Sequence, residues 1–322
     1  MSALSHFHFD RDPFPTNGEN NYFYENRRQT RIIADIAEAS RANAGVWAIT
    51  GGDGAGKTTV LKRIAQEVGN NDFAAMLSAG GRFDLMRETA VRLGLDGRRK
   101  MDVSDILNGL DKLYRRGRNI MLIIDDAHEM TEHQAAALAA LASSLPFIRI
   151  VLAGAPAMPK KLFGNKNLPQ LKERLVGKYR LRPLSFFQGI GYVSRLATDA
   201  LSLAQYRKAI GFVPAMWISF AANRNMRAMN LVATRAIEDA YSEGLGHVRA
   251  RNVFHAIRRE FPAARENIYI KFQEIFIGLV LLFCAYFIAK MAIDRHSLIE
   301  EIEVHKSLSE QEKLIQGTEA EQ

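Results

Sequence analysis

One cysteine in 322 residues, Cys284, leaves an internal disulfide framework without the means to form; the soluble part of the chain must be held by packing and suits a reducing cytoplasm. The N-terminus lacks the basic-then-apolar pattern of a secretory signal: Met1 to Tyr24 is mixed, aromatic and turn-rich, and no cleavage is expected there. Acidic side chains are outnumbered, 35 Asp and Glu against 43 Lys and Arg. The net charge of +8 and the pI near 9.6 point to acidic partners, whether nucleotide, nucleic acid or anionic lipid. Hydrophobic residues at 48% and charged residues at 24% are ordinary for a folded chain, and the length allows a sizeable core in two or three units.

What is present begins with Gly51-Gly52-Asp53-Gly54-Ala55-Gly56-Lys57-Thr58, which fits G-x-x-x-x-G-K-[ST] and is followed by Thr59. Val46 to Thr50 before it is a short run of β-formers, and Lys57 to Val68 after it carries apolar residues at helical spacing, stopped by Gly69. In that strand-loop-helix context the glycines let successive backbone N–H groups turn inward, where they and the helix N-terminus attract phosphate oxygens. Lys57 is expected to reach the β- and γ-phosphates. Thr58 offers the hydroxyl that a phosphate-bound Mg2+ needs.

A second landmark, Ile120 to Ile124, is a continuous apolar run ending in Asp125 and Asp126, as expected of a strand buried on both faces of a parallel sheet. Asp125 would hold the magnesium through water, and Asp126 would orient or deprotonate the attacking water. Further strands are expected at 73–77, 148–153 and 178–184, with helices at 29–42, 83–93, 105–116 and 131–141. This alternation implies an α/β fold, a doubly wound parallel sheet flanked by helices. Residues 185–259 read as helical throughout, an all-α lid domain. Residues 1–28 hold too many aromatics for a disordered tail and are expected to form an arm packed on the core. His128 reads as a structural histidine. The basic clusters Arg98-Arg99-Lys100, Arg115-Arg116-Gly117-Arg118 and Lys160-Lys161 read as solvated loops and helix ends, so nucleic acid is not the expected partner.

Several stretches together resemble one family: Asp12-Pro13-Phe14 with Phe23-Tyr24, the Thr50 to Thr59 loop, Ile123 to His128, Leu152 to Pro156, Arg174 through Arg182 to Ser185, and Asn225 to Asn230. They resemble an AAA+ ATPase of the ExeA or general secretion pathway A type, related to the transposition ATPases MuB and TniB, over residues 7 to 260. The resemblance implies ATP and Mg2+ as ligands and a homo-oligomer as the working unit. It also implies Phe14 as part of the adenine pocket, Arg174 as a finger reaching the next subunit's γ-phosphate, and Arg227 as a lid sensor in cis. Two departures stand out. Asp126 replaces the family's glutamate and is one methylene shorter. Ala155 stands where a polar residue senses the γ-phosphate, and it cannot donate a hydrogen bond. Slow hydrolysis is the expected consequence. Glu129 could substitute for the missing reach but reads more simply as an exposed acid at a helix start.

Near the C-terminus, Ile275 to Ala289 runs without a charge and Lys290 is followed by Met291, Ala292 and Ile293. At 1.5 Å per residue this stretch spans about 28 Å, just enough for a bilayer core. A buried helix of a soluble oligomer is the other reading. Arg258, Arg259, Arg265 and Lys271 precede the stretch, while Lys290 and Arg295 are offset by Asp294, Glu300, Glu301 and Glu303. That bias favours a single-pass anchor in the bacterial inner membrane, touching membrane lipid, with the ATPase domain in the cytoplasm. The expected organisation is an arm and helix (1–45), an α/β ATPase domain (46–184), a helical lid (185–260), a linker (261–274), a transmembrane helix (275–293) and an acidic tail (294–322). Relatives of this type continue into a periplasmic peptidoglycan-binding domain, which the tail does not provide. The expected function is ATP-driven assembly or regulation of an inner-membrane envelope or secretion complex. A nucleotide-gated scaffold with little hydrolysis and a DNA-binding transposition-type ATPase are the alternatives.

Overall fold

The apolar runs become a parallel sheet in the computed structural model. Strands β1 (Gly45–Thr50), β2 (Phe73–Ser78), β3 (Ile120–Asp125), β4 (Arg149–Gly154) and β5 (Leu175–Arg180) lie in the order β2-β3-β4-β1-β5. The structure describes residues 2–15, 24, 26–68, 72–80, 84–94, 103–202, 209–261, 285–288, 290 and 291. Strands β1, β3 and β4 are buried along their whole length, which is why they carry unbroken apolar runs rather than alternation. The outer strand β5 does alternate, and its pairing with β1 slips between Val46 and Trp47. It runs from Leu175 to Arg180 where 178–184 was expected: with Val176, Lys178 and Arg180 all exposed, no continuous apolar run marks its bounds.

Period-two alternation decides which helices each strand residue meets. Trp47, Ile49, Ile123 and Val151 pack on one face with α2 (Arg27–Ala42) and α3 (Lys57–Glu67), through Ile33, Ile36, Leu61 and Ile64. Val46, Ala48, Leu122, Ile124 and Leu152 face the other way. They meet α4 (Leu85–Arg92), α5 (Val103–Arg115), α6 (Glu132–Ser144), α7 (Met158–Phe163) and α8 (Pro169–Glu173) through Leu85, Leu110, Leu138, Leu162 and Leu171. Helix α6 starts at a reciprocal cap: Thr131 Oγ1 accepts the Gln134 N–H while Gln134 accepts the Thr131 N–H.

The lid is built of α9 (Phe186–Asp199), α10 (Phe212–Ala221), α11 (Met226–Ser242) and α12 (Ala250–Glu260). Ser185 and Gln188 form the same reciprocal cap where α9 leaves the sheet. The arm, with its single turn α1 (Ala3–His6), packs on this lid, where the sequence suggested an arm packed on the core. Phe7 and Phe9 are buried, the Asp10 N–H donates to Ala200 O at 2.9 Å, the Ser202 N–H donates to His8 O at 2.9 Å, and the His6 ring meets Tyr241 edge-on.

Met1–Glu260 and Phe261–Gln322 are separate compact units. Among the described residues no helix is long and apolar enough to cross a membrane. The expected span 275–293 lies outside the described residues except for 285–288, 290 and 291, which are helical, with Tyr286, Phe287, Ile288 and Met291 exposed.

Candidate functional site

The loop between β1 and α3 bends through Gly54 and Gly56, whose φ values of 64° and 85° belong to the left-handed region that glycine enters without strain. Lys57, the first residue of α3, turns back over the loop and donates from Nζ to Gly51 O at 3.3 Å and Gly52 O at 3.1 Å. Thr58 donates from Oγ1 to Asp125 Oδ2 at 2.5 Å, which brings the hydroxyl and the carboxylate predicted for magnesium together. Strand β4 ties the two motifs to each other: the Gly51 N–H donates to Gly154 O at 3.2 Å and the Ala127 N–H to Ala153 O at 2.8 Å.

Asp125 is buried at the end of β3, and burial pushes its pKa above the ordinary carboxylate value, against the opposing pull of the Thr58 hydrogen bond. A group whose folded pKa is raised opposes folding when ionised. Stability is therefore gained as the pH falls from neutral toward the raised pKa and on to the ordinary carboxylate range. Replacing Asp125 with asparagine should accordingly raise the melting temperature of the nucleotide-free protein while removing the magnesium dependence of nucleotide binding. A scan showing a lower melting temperature would contradict this assignment of the buried charge.

The lid reaches down onto the same loop. Asn225, the N-cap of α11, donates from Nδ2 to Asp53 O at 2.6 Å, and the Met226 N–H donates to Gly54 O at 3.2 Å. Arg227 Nη1 lies 2.8 Å from both carboxylate oxygens of Asp53. A Cβ at Gly54 would stand 2.0 Å from Asn225 Oδ1, so the closeness of the lid as well as the backbone angle demands glycine there.

Between loop and lid is a cavity of about 680 Å³, within the size range of small-molecule sites. Its floor is Gly51, Asp53, Gly54, Gly56, Lys57, Thr58 and Thr59, and one wall is Asp126, His128, Glu129 and Ala155. Asp126 is held with φ at 51°, in the left-handed region, its N–H donating to Asp125 Oδ1 at 2.9 Å. Of the remaining loop residues, Gly52 is exposed, while Ala55 faces the core beside Leu61.

The opposite end is aromatic and polar. Tyr24 meets Tyr192 edge-on at 5.3 Å, Tyr192 donates from its hydroxyl to Asn230 Oδ1 at 2.8 Å, and Asn230 Nδ2 donates to Pro15 O at 3.1 Å. All four, with Gln29 and Met226, line the cavity. Phe14 does not: it is fully buried, its carbonyl accepting from Thr234 Oγ1 at 3.2 Å, and its neighbour Pro15 faces the cavity instead. Phe23 lies outside the described residues. Tyr24 and Asn230 belong to stretches that mark the family resemblance, whereas Tyr192 and Gln29 sit on amphipathic helices where nothing local distinguishes them.

Arg174 lies away from this cavity. Its guanidinium donates to the carbonyls of Ala142, Leu145, Pro146 and Ile148, closing the C-terminal end of α6 and the turn into β4, and burial lowers its pKa. Arg174→Ala should therefore cost about 2 kcal/mol of stability in denaturant unfolding, since charged hydrogen bonds to carbonyls are lost together. A role confined to a neighbouring subunit's nucleotide would leave the unfolding midpoint where it was.

Among the described residues no group of three or more His, Cys, Asp and Glu could hold a metal ion by itself. Magnesium fits as an ion shared between phosphates and the converging oxygens of Thr58 and Asp125, the arrangement such a small cation favours. A glycine loop opening a helix, a hydroxyl and carboxylate pair beneath it and a helical lid above it, all on this strand order, define a P-loop protein of the AAA+ fold. Residues 40–162 match the family model described as an AAA domain.

No curated protein matches the sequence. Among solved structures the fold is similar to the ORC2 protein of Aeropyrum pernix in its ADPNP-ADP complexes, at a TM-score of 0.64 and 18% identity over 78% of this chain and 72% of that one. It is also similar to Cdc6p of Pyrobaculum aerophilum, at 0.59 and 16% over 79% and 70%. The RuvB Holliday junction branch migration motor of Thermotoga maritima follows at 0.53 and 14% over 77% and 73%.

Proposed function

We propose that this chain is a membrane-anchored AAA+ ATPase that binds and hydrolyses ATP to drive or regulate assembly of an inner-membrane envelope or secretion complex. The observation that carries the nucleotide part is the convergence of Thr58 and Asp125 under a loop whose lysine is already turned inward. Lys57 and the loop N–H groups bind the phosphates, Thr58 and Asp125 hold magnesium, and Arg227, paired with Asp53 in the free site, passes to a terminal phosphate when nucleotide binds. Magnesium, when bound, draws charge from the phosphate oxygens. Asp126 faces the cavity as the carboxylate that orients water, and Tyr24 and Tyr192 offer ring surface to the base. The membrane part is supported by the uncharged run 275–289 and the charge asymmetry around it.

A second reading, a nucleotide-gated oligomeric scaffold with little turnover, is favoured by Ala155 in the cavity wall, which offers no side-chain donor where a terminal phosphate would lie. ATP turnover by the detergent-solubilised full-length protein over a concentration series, beside Asp126→Asn and with binding measured in parallel, separates the two. Turnover that rises with protein concentration and disappears in the variant supports the ATPase. Tight binding without turnover leaves the scaffold, and no binding removes both.

A further inference from the structure

Helix α10, with the sequence Phe-Val-Pro-Ala-Met-Trp-Ile-Ser-Phe-Ala, is apolar on both sides. A helix apolar all round is normally buried all round. Here Pro214, Ala215, Ile218 and Ser219 are buried in the lid, while the opposite side stays open: Phe212 is 64% and Val213 50% exposed, and Trp217 and Phe220 are partly exposed. Trp217 meets Phe220 edge-on at 6.3 Å and Phe254 of α12 at 4.8 Å, so two helices contribute to one aromatic surface.

The outward stripe of α12 continues that surface with positive charge. Arg251, Phe254, His255, Arg258 and Arg259 are all exposed, and their spacing places them on a single helical face. Arg251 is paired with Glu243; among the described residues no ion pair engages Arg258 or Arg259.

Aromatic rings beside unpaired arginines are the chemistry of the interface between water and an anionic bilayer, where rings settle at headgroup depth and arginines meet lipid phosphates. The distance along the chain fits as well. Helix α12 ends at Glu260, and residues 261–274, which at full extension reach at most about 50 Å, separate it from the apolar run. We infer that the face formed by Phe212, Val213, Trp217 and Phe254 with Arg258 and Arg259 docks the lid onto an anionic lipid surface. The inference rests on the membrane-anchored reading and adds to it: the lid, which holds the phosphate-binding loop through Asn225 and Arg227, is itself seated on the bilayer.

The two tryptophans make the test direct, because Trp47 is fully buried and Trp217 is the reporter. Full-length protein is reconstituted into phosphatidylcholine vesicles with and without phosphatidylglycerol, each also prepared with lipid brominated near the headgroup. Trp217 emission should shift to the blue and be quenched in the vesicles containing phosphatidylglycerol, and Trp217→Phe should abolish both changes. Phe212→Glu should restore the emission seen in detergent. Arg258→Gln and Arg259→Gln should each lower the docked-to-undocked ratio about fivefold.

Reconstituted protein whose Trp217 emission is the same in detergent and in both vesicles overturns the inference while the anchor stands. A blue shift that grows with protein concentration in detergent places a second copy on this face and overturns it too. Protein released from vesicles by alkaline carbonate defeats the anchored reading itself, a result distinguishable from either.

Discussion

Lys57→Ala should weaken Mg-ATP binding on the order of a hundredfold, with turnover falling at least as far, since removing one preorganised donor to a charged group in such sites has about that effect. The ammonium is already poised over the loop: it donates to Gly51 O and Gly52 O, which lets it meet phosphate oxygens without a large rearrangement. Those contacts are partly exposed, so the folded protein should lose little, and thermal unfolding of the variant should stay near that of wild type. Titration with a fluorescent ATP analogue measures the first effect and a melting scan the second. Equal affinities would mean that the loop does not hold phosphate.

Trp47→Ala should destabilise the protein by about 3 to 5 kcal/mol, a large part of the roughly 5 to 15 kcal/mol that keeps a domain folded. The indole lies fully buried in β1, between β4 and β5, and packs in the core shared with α2 and α3. Gly177 pairs with Trp47 across the strands, and a Cβ there would come within 3.3 Å of the indole ring, so the sheet itself leaves room for the large side chain. Trp47→Phe separates packing from hydrogen bonding. Among the described residues the buried indole Nε1 has no hydrogen-bond partner, so removing it relieves an unsatisfied donor while most of the ring is retained. Urea unfolding should rank wild type and phenylalanine close together, with alanine far below. If alanine ranked with phenylalanine, the packing argument would fail.

Much of this was legible in the chain because the relevant forces act locally. The phosphate loop declares itself through glycines that must turn, and β3 and β4 through apolar runs that only a strand covered on both faces carries. The helix starts at Thr131 and Ser185 follow from side chains bonding three residues ahead. What failed to show depends on residues far apart in sequence. Phe14 and Pro15 are neighbours, and only the position of α11 decides that one is buried under Thr234 while the other faces the cavity. Arg174 looks like any arginine at a helix end until the loop before β4 supplies carbonyls around it. The arm's aromatics announced burial but not the surface that would bury them. The start of β5 was misplaced because an outer strand keeps one row of side chains in solvent and so loses the continuous apolar signature.

The grip of Asn225 on Asp53 and of Met226 on Gly54 joins segments 172 residues apart in sequence. Those segments are consequently not interchangeable parts. A lid grafted from another protein with a bulkier residue at the cap of α11 would collide with the loop at Gly54, and a loop grafted with any side chain at position 54 would collide with the resident lid. Diversification at this junction is therefore coupled: residues 53, 54, 225 and 227 have to change as a set.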